Sequence, residues 1–201
     1  MIRLFGRRPA PSPRHFTVDW FDGNIPVWEE LLAEFKGRPH VAALEIGAHE
    51  GRSACWLLEH VLTGPGARIV CVDTFRGDAT PLAGAPAGKL ARFRANVAPW
   101  RERVRVRAGP SAEVLRRLEG SFDIIYVDAY HSACAALSDA VLAWPHLKHR
   151  GLMIFDDYAL KLAEERNVQV KLGVDSFLAC HAGQFEIVHN GYQMAVRKTA
   201  Y

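Results

Sequence analysis

The sequence predicts an α/β fold built on a doubly wound, mainly parallel sheet, and three observations carry that expectation. Short apolar runs of strand length end on Gly or Asp, a segment with helical spacing follows each of them, and the last two runs flank an Asn-Gly dipeptide. Strands joined through helices need right-handed crossovers, and a sheet covered on both faces reads as continuous apolar runs. At 201 residues the chain can bury the core of one such domain. Hydrophobic residues at 49% and charged residues at 23% are ordinary globular values and exclude wholesale disorder.

The start, MIRLFGRRPAPSPRH, is rich in Arg and Pro and lacks the apolar centre of a signal peptide. Residues 1–15 are therefore expected to form a disordered basic tail, with one domain over 16–201. From Asn24, IPVWEELLAEFKG places Val27, Leu31, Leu32 and Phe35 at helical spacing and stops at Gly37. VAALEIG (41–47) is a first strand, and SACWLLEHVL (53–62) is a helix ended by TGPG. ARIVCVDT (67–74) is a second strand. The Gly/Ala/Pro-rich GDATPLAGAPAG (77–88) then leads into the helical KLARFRANVAPW.

RVRVRA (103–108) alternates as a third strand, and SAEVLRRLEG is a short helix with Ser111 as N-cap and Gly120 as stop. FDIIYVD (122–128) is strand four, followed by a helix over 132–144, and GLMIFDD (151–157) is strand five. VKLGVDSFLAC (170–180) is helical. QFEIVHN and GYQMAVRK then form a closing antiparallel hairpin, because Asn-Gly is the strongest short hairpin signal.

A formal net charge of +3 is only mildly basic and does not mark a dedicated nucleic-acid binder. Cys55, Cys71, Cys134 and Cys180 form no Cys-x-x-Cys pair, and three of them sit in apolar segments, which predicts buried structural thiols in a reducing compartment. With no run of 18 apolar residues, a cytoplasmic protein with no membrane partner is expected. Association into a homo-oligomer is left open.

In open α/β sheets ligands bind beyond the carboxyl ends of the strands, which directs attention to LEIGAHEGRS. A dinucleotide fingerprint starting at Gly47 would need glycines where His49 and Arg52 stand, which argues against NAD. What remains is Glu45, Gly47 and Gly51, followed 22 residues later by Asp73 at the end of strand two. A carboxylate there can accept both hydroxyls of a ribose, so a nucleoside without a pyrophosphate is implied. A tight turn that binds nothing would also contain EIGxxxG.

These residues resemble the class I S-adenosylmethionine-dependent methyltransferases over roughly residues 41–198, and the closing hairpin is similar to the one that ends their sheet. The resemblance implies a Rossmann-like seven-stranded sheet of order 3-2-1-4-5-7-6. It implies that Glu45, Gly47 and Gly51 line the methionine end of the cofactor, that Asp73 holds the ribose, and that Ser111 lies by the adenine, with Ala48, Thr74 and Asp128 also among the contacts. Many relatives carry an acidic residue just before that serine, where this chain has Pro110.

In that order strands four and five are neighbours about 4.8 Å apart, which brings Asp128 beside Asp156 and Asp157. Three carboxylates in one cleft repel each other unless a cation is present, and oxygen ligands favour a hard divalent ion, Mg²⁺ first. Capping of the next helix would explain any one of them singly. His131 lies one turn from Asp128, where an imidazole can take a hydroxyl proton, or stand as an exposed first-turn histidine.

Asp-x-x-His followed by Asp-Asp resembles the metal-dependent small-molecule O-methyltransferases, including those acting on macrolide sugars. That resemblance implies Asp128, Asp156 and Asp157 as metal ligands and His131 as general base, where the catechol-type enzymes carry a lysine. The acceptor is then a small hydroxylated metabolite. Specificity is expected in the segments at 77–88 and 157–173, after strands two and five. Two alternatives stand beside it. RERVRVR (101–107) would line up Arg101, Arg103, Arg105 and Arg107 for an RNA or protein substrate, or guard an edge strand. The fold could also serve as a non-catalytic cofactor-binding domain.

Overall fold

Seven strands form one sheet of order β3-β2-β1-β4-β5-β7-β6 in the computed structural model, which describes residues 14–76, 88–160 and 169–200. The strands are β1 (Ala42–Ile46), β2 (Arg68–Asp73), β3 (Val104–Ala108), β4 (Phe122–Val127), β5 (Leu147–Phe155), β6 (Phe185–Asn190) and β7 (Met194–Lys198). The first five run parallel, and β7 pairs antiparallel with both β5 and β6. The helices are α1 (Ile25–Leu31), α2 (Arg52–His60), α3 (Lys89–Asn96), α4 (Ser111–Leu115), α5 (Ala133–Ala143) and α6 (Val170–Cys180).

Strand alternation divides the core into two layers. Ala43, Ile69, Cys71, Ile124, Tyr126, Leu152 and Ile154 pack with Trp28, Leu57 and Phe93 of α1, α2 and α3. Ala42, Leu44, Val70, Val72, Ile125, Met153 and Phe155 pack with Leu115, Ala140 and Phe177 of α4, α5 and α6. β1 and β4, buried on both faces, are the centre of the sheet and end side by side. Gly47 makes that possible: a Cβ on it would lie 1.8 Å from the Asp128 carbonyl oxygen.

Several local expectations are revised. The first helix ends at Leu31 and continues as a 3₁₀ turn over Ala33–Phe35, with Trp28, Leu32 and Phe35 buried. Strand five begins earlier, at Leu147. Pro110 takes the cap position of α4, so Ser111 is its first helical residue and gives no side-chain cap. Asp128 does not cap α5, because Ser132 does, accepting from the Ala135 amide. The hairpin turns through Gly191, Tyr192 and Gln193 rather than through two residues, with Asn190 opposite Met194.

Cys55 and Cys71 are buried as expected, but Cys134 and Cys180 are exposed because they stand on the outer surfaces of α5 and α6. Arg14 and His15 are engaged rather than loose: Arg14 pairs with Glu59, and His15 exchanges backbone bonds with the Asn96 side chain. The rest of the expected tail, and the segments 77–87 and 161–168 expected to carry specificity, lie outside the described residues. Among the described residues no helix is long and apolar enough to cross a membrane.

Candidate active site

The carboxyl ends of β1, β2, β3 and β4 open into one cavity of about 330 Å³, lined among others by Gly47, His49, Asp73, Thr74, Lys89, Gly109, Ser111, Asp128 and His131. Backbone geometry shapes this rim. His49, Phe75 and Asp157 all have positive φ (44°, 54° and 55°) just beyond β1, β2 and β5, a conformation that costs energy in non-glycine residues and gathers at functional sites. Asp73 fixes two of these turns by accepting the amide of His49 at 2.7 Å and that of Phe75 at 2.5 Å. The outer lone pairs of the same carboxylate remain available to a ligand.

The cofactor residues read from the sequence do not all reach this cavity. Gly47, Asp73, Thr74, Ser111 and Asp128 line it. Ala48 borders a smaller recess with Trp20, Arg52 and Tyr126. Gly51 opens α2 with φ 82° and touches Phe93. Glu45 is fully buried and accepts hydrogen bonds from Ser53 Oγ and Cys71 Sγ. Its burial pushes its carboxyl up to about 7.

At the β4 and β5 ends, one atom each of Asp128, His131 and Asp157 lie within 4.8 Å of one another. His131 Nε2 is 2.7 Å from Asp157 Oδ2, and Tyr192 Oη donates to Asp157 Oδ1. The burial of Asp128, together with the nearby Asp156 and Asp157, holds its carboxyl well above the usual carboxylate range. Although its side chain borders the cavity, its surroundings still desolvate the charge. Burial, then Asp157, raises Asp156 as well.

Asp156 borders one recess with Asp128, His131 and Asp157 but is held by other partners. Its Oδ2 accepts from Tyr126 Oη at 2.5 Å, and its Oδ1 accepts from Gln193 Nε2 at 2.8 Å and Asn24 Nδ2 at 3.4 Å. The left-handed backbone of Asp157 separates the two neighbours: one side chain joins Asp128 and His131, the other enters the interior. Tyr126 Oη is also 3.1 Å from Asp128 Oδ2, so it links the two aspartates across adjacent strands.

Tyr126, Tyr192 and Gln193 are site residues that sequence reasoning missed. Tyr126 reads as one more apolar member of strand four, and the other two sit in a turn whose only evident signal is Asn-Gly. The row of arginines is also broken up. Arg101 and Arg103 lie outside β3, Arg103 donates to the Leu62 carbonyl, and Arg105 and Arg107 are exposed on a strand that, among the described residues, pairs with β2 alone. They guard an edge.

A parallel sheet with this strand order, an antiparallel closing hairpin and a nucleoside-sized cavity at the β1–β4 ends together define the class I methyltransferase architecture. Residues 44–158 match the family model described as Methyltransferase domain, which is more than half of the chain, and the chain belongs to that family of S-adenosylmethionine-dependent methyltransferases.

Solved structures agree in fold. The chain is similar to an O-methyltransferase from Bacillus cereus in complex with S-adenosylhomocysteine (20% identity, TM-score 0.63, 94% of this chain and 84% of that one). It is also similar to TomG from Streptomyces achromogenes, involved in tomaymycin synthesis and solved with S-adenosylmethionine (17%, TM-score 0.65, 88% and 80%). A third likeness is to MycE of the mycinamycin biosynthetic pathway, solved with Mg, S-adenosylhomocysteine and mycinamycin VI (18%, TM-score 0.64, 94% and 52%). No curated protein matches the chain in sequence.

Proposed function

We propose that this protein transfers a methyl group from S-adenosylmethionine to a hydroxyl oxygen of a small metabolite, with a divalent cation assisting. The observation that carries this reading is the meeting of Asp128, His131 and Asp157 at the mouth of the cofactor cavity. The carboxylates offer oxygen ligands, which fit a hard divalent ion, Mg²⁺ first, and leave the imidazole beside them for proton transfer. The solved O-methyltransferases of the same fold support the acceptor type, MycE with its Mg and macrolide in particular.

In this reading Asp73 accepts the ribose hydroxyls, and the Gly109–Ser111 turn walls the adenine. Asp128 and Asp157 supply oxygens to the cation, which when bound lowers the pKa of the acceptor hydroxyl and orients it. His131, held by Asp157, takes the hydroxyl proton as the acceptor oxygen attacks the methyl carbon in line. Asp156 acts one step behind, steadying Asp128 through Tyr126. Residues 16–201 serve as one catalytic unit.

The test combines ligands in thermal melts and then measures turnover. S-adenosylhomocysteine should raise the melting temperature, Mg²⁺ should add to it, and NAD should do nothing; stabilisation by NAD alone would sink the assignment. Turnover, followed as S-adenosylhomocysteine released with a panel of hydroxylated acceptors, should fall with a chelator. His131→Ala should lower it by about 10²–10⁴-fold and leave S-adenosylhomocysteine affinity in place.

A further inference from the structure

Lys89 is the first residue of α3, directly after Gly88 with its φ of 93°. It is 4% exposed and lines the cavity with Asp73, Thr74 and Gly109. No hydrogen bond or ion pair joins its ammonium to any described residue. Asp73 on the same wall accepts the amides of His49 and Phe75 and makes no ion pair with Lys89. Among the described residues no fully enclosed side-chain nitrogen or oxygen lacks a partner, so the ammonium keeps a small accessible surface, and the space it borders is the cavity.

A buried ammonium without a counter-charge is strongly unfavourable, and what relieves it best is an anion. The N-terminal end of an eight-residue helix adds positive potential at the same place. We propose that Lys89 and the N-terminus of α3 form a carboxylate-binding subsite in the cavity wall. Two molecules could bring that carboxylate: the cofactor, through its amino-acid end, or the acceptor, through an acid group beside its hydroxyl. The subsite rests on the cavity being the cofactor site proposed above.

Calorimetric titration of S-adenosylhomocysteine, and of its analogue lacking the carboxylate, into wild type and Lys89→Met separates these sources. If the cofactor is the source, wild type binds the complete molecule about tenfold or more tightly than the analogue, and Lys89→Met binds the two alike. If the acceptor is the source, wild type binds the two alike, and acetate raises the melting temperature of wild type but not of the variant. Acetate is titrated with and without S-adenosylhomocysteine. If that compound fails to bind wild type, the cofactor reading falls while the acetate shift still decides the subsite. Lys89→Gln replaces Lys89→Met should the latter lose its circular dichroism melt. Equal analogue discrimination and equal acetate response in wild type and variant overturn the subsite.

Discussion

Asp157 combines a left-handed backbone with two partners, the imidazole of His131 on one oxygen and the phenol of Tyr192 on the other. Asparagine tolerates that backbone and can still accept from Tyr192. Asp157→Asn should therefore fold normally, while calorimetry should show Mg²⁺ bound at least ~10-fold more weakly; unchanged cation binding would remove Asp157 from the cation set. Glu45 offers a prediction in pH. Its folded value of about 7 lies above the 4.5 of a free carboxyl, so between those values the native state holds the proton more tightly than the unfolded chain. The associated stability is full below pH 4.5, is lost as pH rises to about 7, and amounts to on the order of 3 kcal/mol. Glu45→Gln should abolish that slope in urea titrations at pH 5 and 8; a slope that persists would assign it to other groups. Asp128, His131 and Asp157 were legible from sequence because polar residues that end apolar runs must lie at the sheet rim. The inward turn of Asp156 was not, since it depends on one backbone angle at its neighbour.

At the level of elements, strand ends and helix packing meet through glycines whose reasons differ. Gly47 lets β1 approach the end of β4, and Gly173 lets α6 approach α5: a Cβ on Gly173 would lie 2.1 Å from the Ala133 carbonyl oxygen and 3.0 Å from the Leu137 nitrogen. Alanine in a helix normally gains about 1 kcal/mol over glycine. Here both obstacles are backbone atoms of α5, so Gly173→Ala should instead destabilise by about 1–3 kcal/mol, seen as a lower urea midpoint with an unchanged slope. A higher midpoint would mean that α6 can slide along α5 freely. The helix itself was legible from VKLGVDSFLAC, yet a glycine in it reads only as a weak spot, because the close approach belongs to the partner helix. Ser111 shows the same limit: its position before an apolar run predicts a cap, and Pro110 with its fixed φ takes the cap position instead.

Across the whole molecule, the five parallel strands were legible because βα units in succession impose right-handed crossovers, whereas the order of the sheet was legible through the resemblance to the methyltransferases. What the sequence did not reveal is how the ends of the chain brace the centre. Trp28 Nε1 of α1 donates to Gln193 Oε1 in the hairpin turn at 2.8 Å, and Gln193 Nε2 donates to Asp156, which accepts from Tyr126, which reaches Asp128. Residues 165 positions apart thus meet behind the candidate site. None of them carries a motif, since each makes sense only through the others. Gln193→Leu keeps the volume and removes both bonds, leaving the Trp28 indole N–H without a partner in a buried place and Asp156 Oδ1 with only its 3.4 Å bond from Asn24. The orphaned indole N–H costs about 1–3 kcal/mol and the weakened Asp156 contact adds to it, so the variant should unfold about 1–4 kcal/mol more easily in urea. Because Asp156 then keeps only its bonds from Tyr126 and Asn24, its carboxylate is less firmly held beside Asp128, and Mg²⁺ affinity should change in the variant even where the fold survives. Stability lost with cation binding untouched would make the chain of hydrogen bonds a brace of the fold alone, with no hold on Asp128.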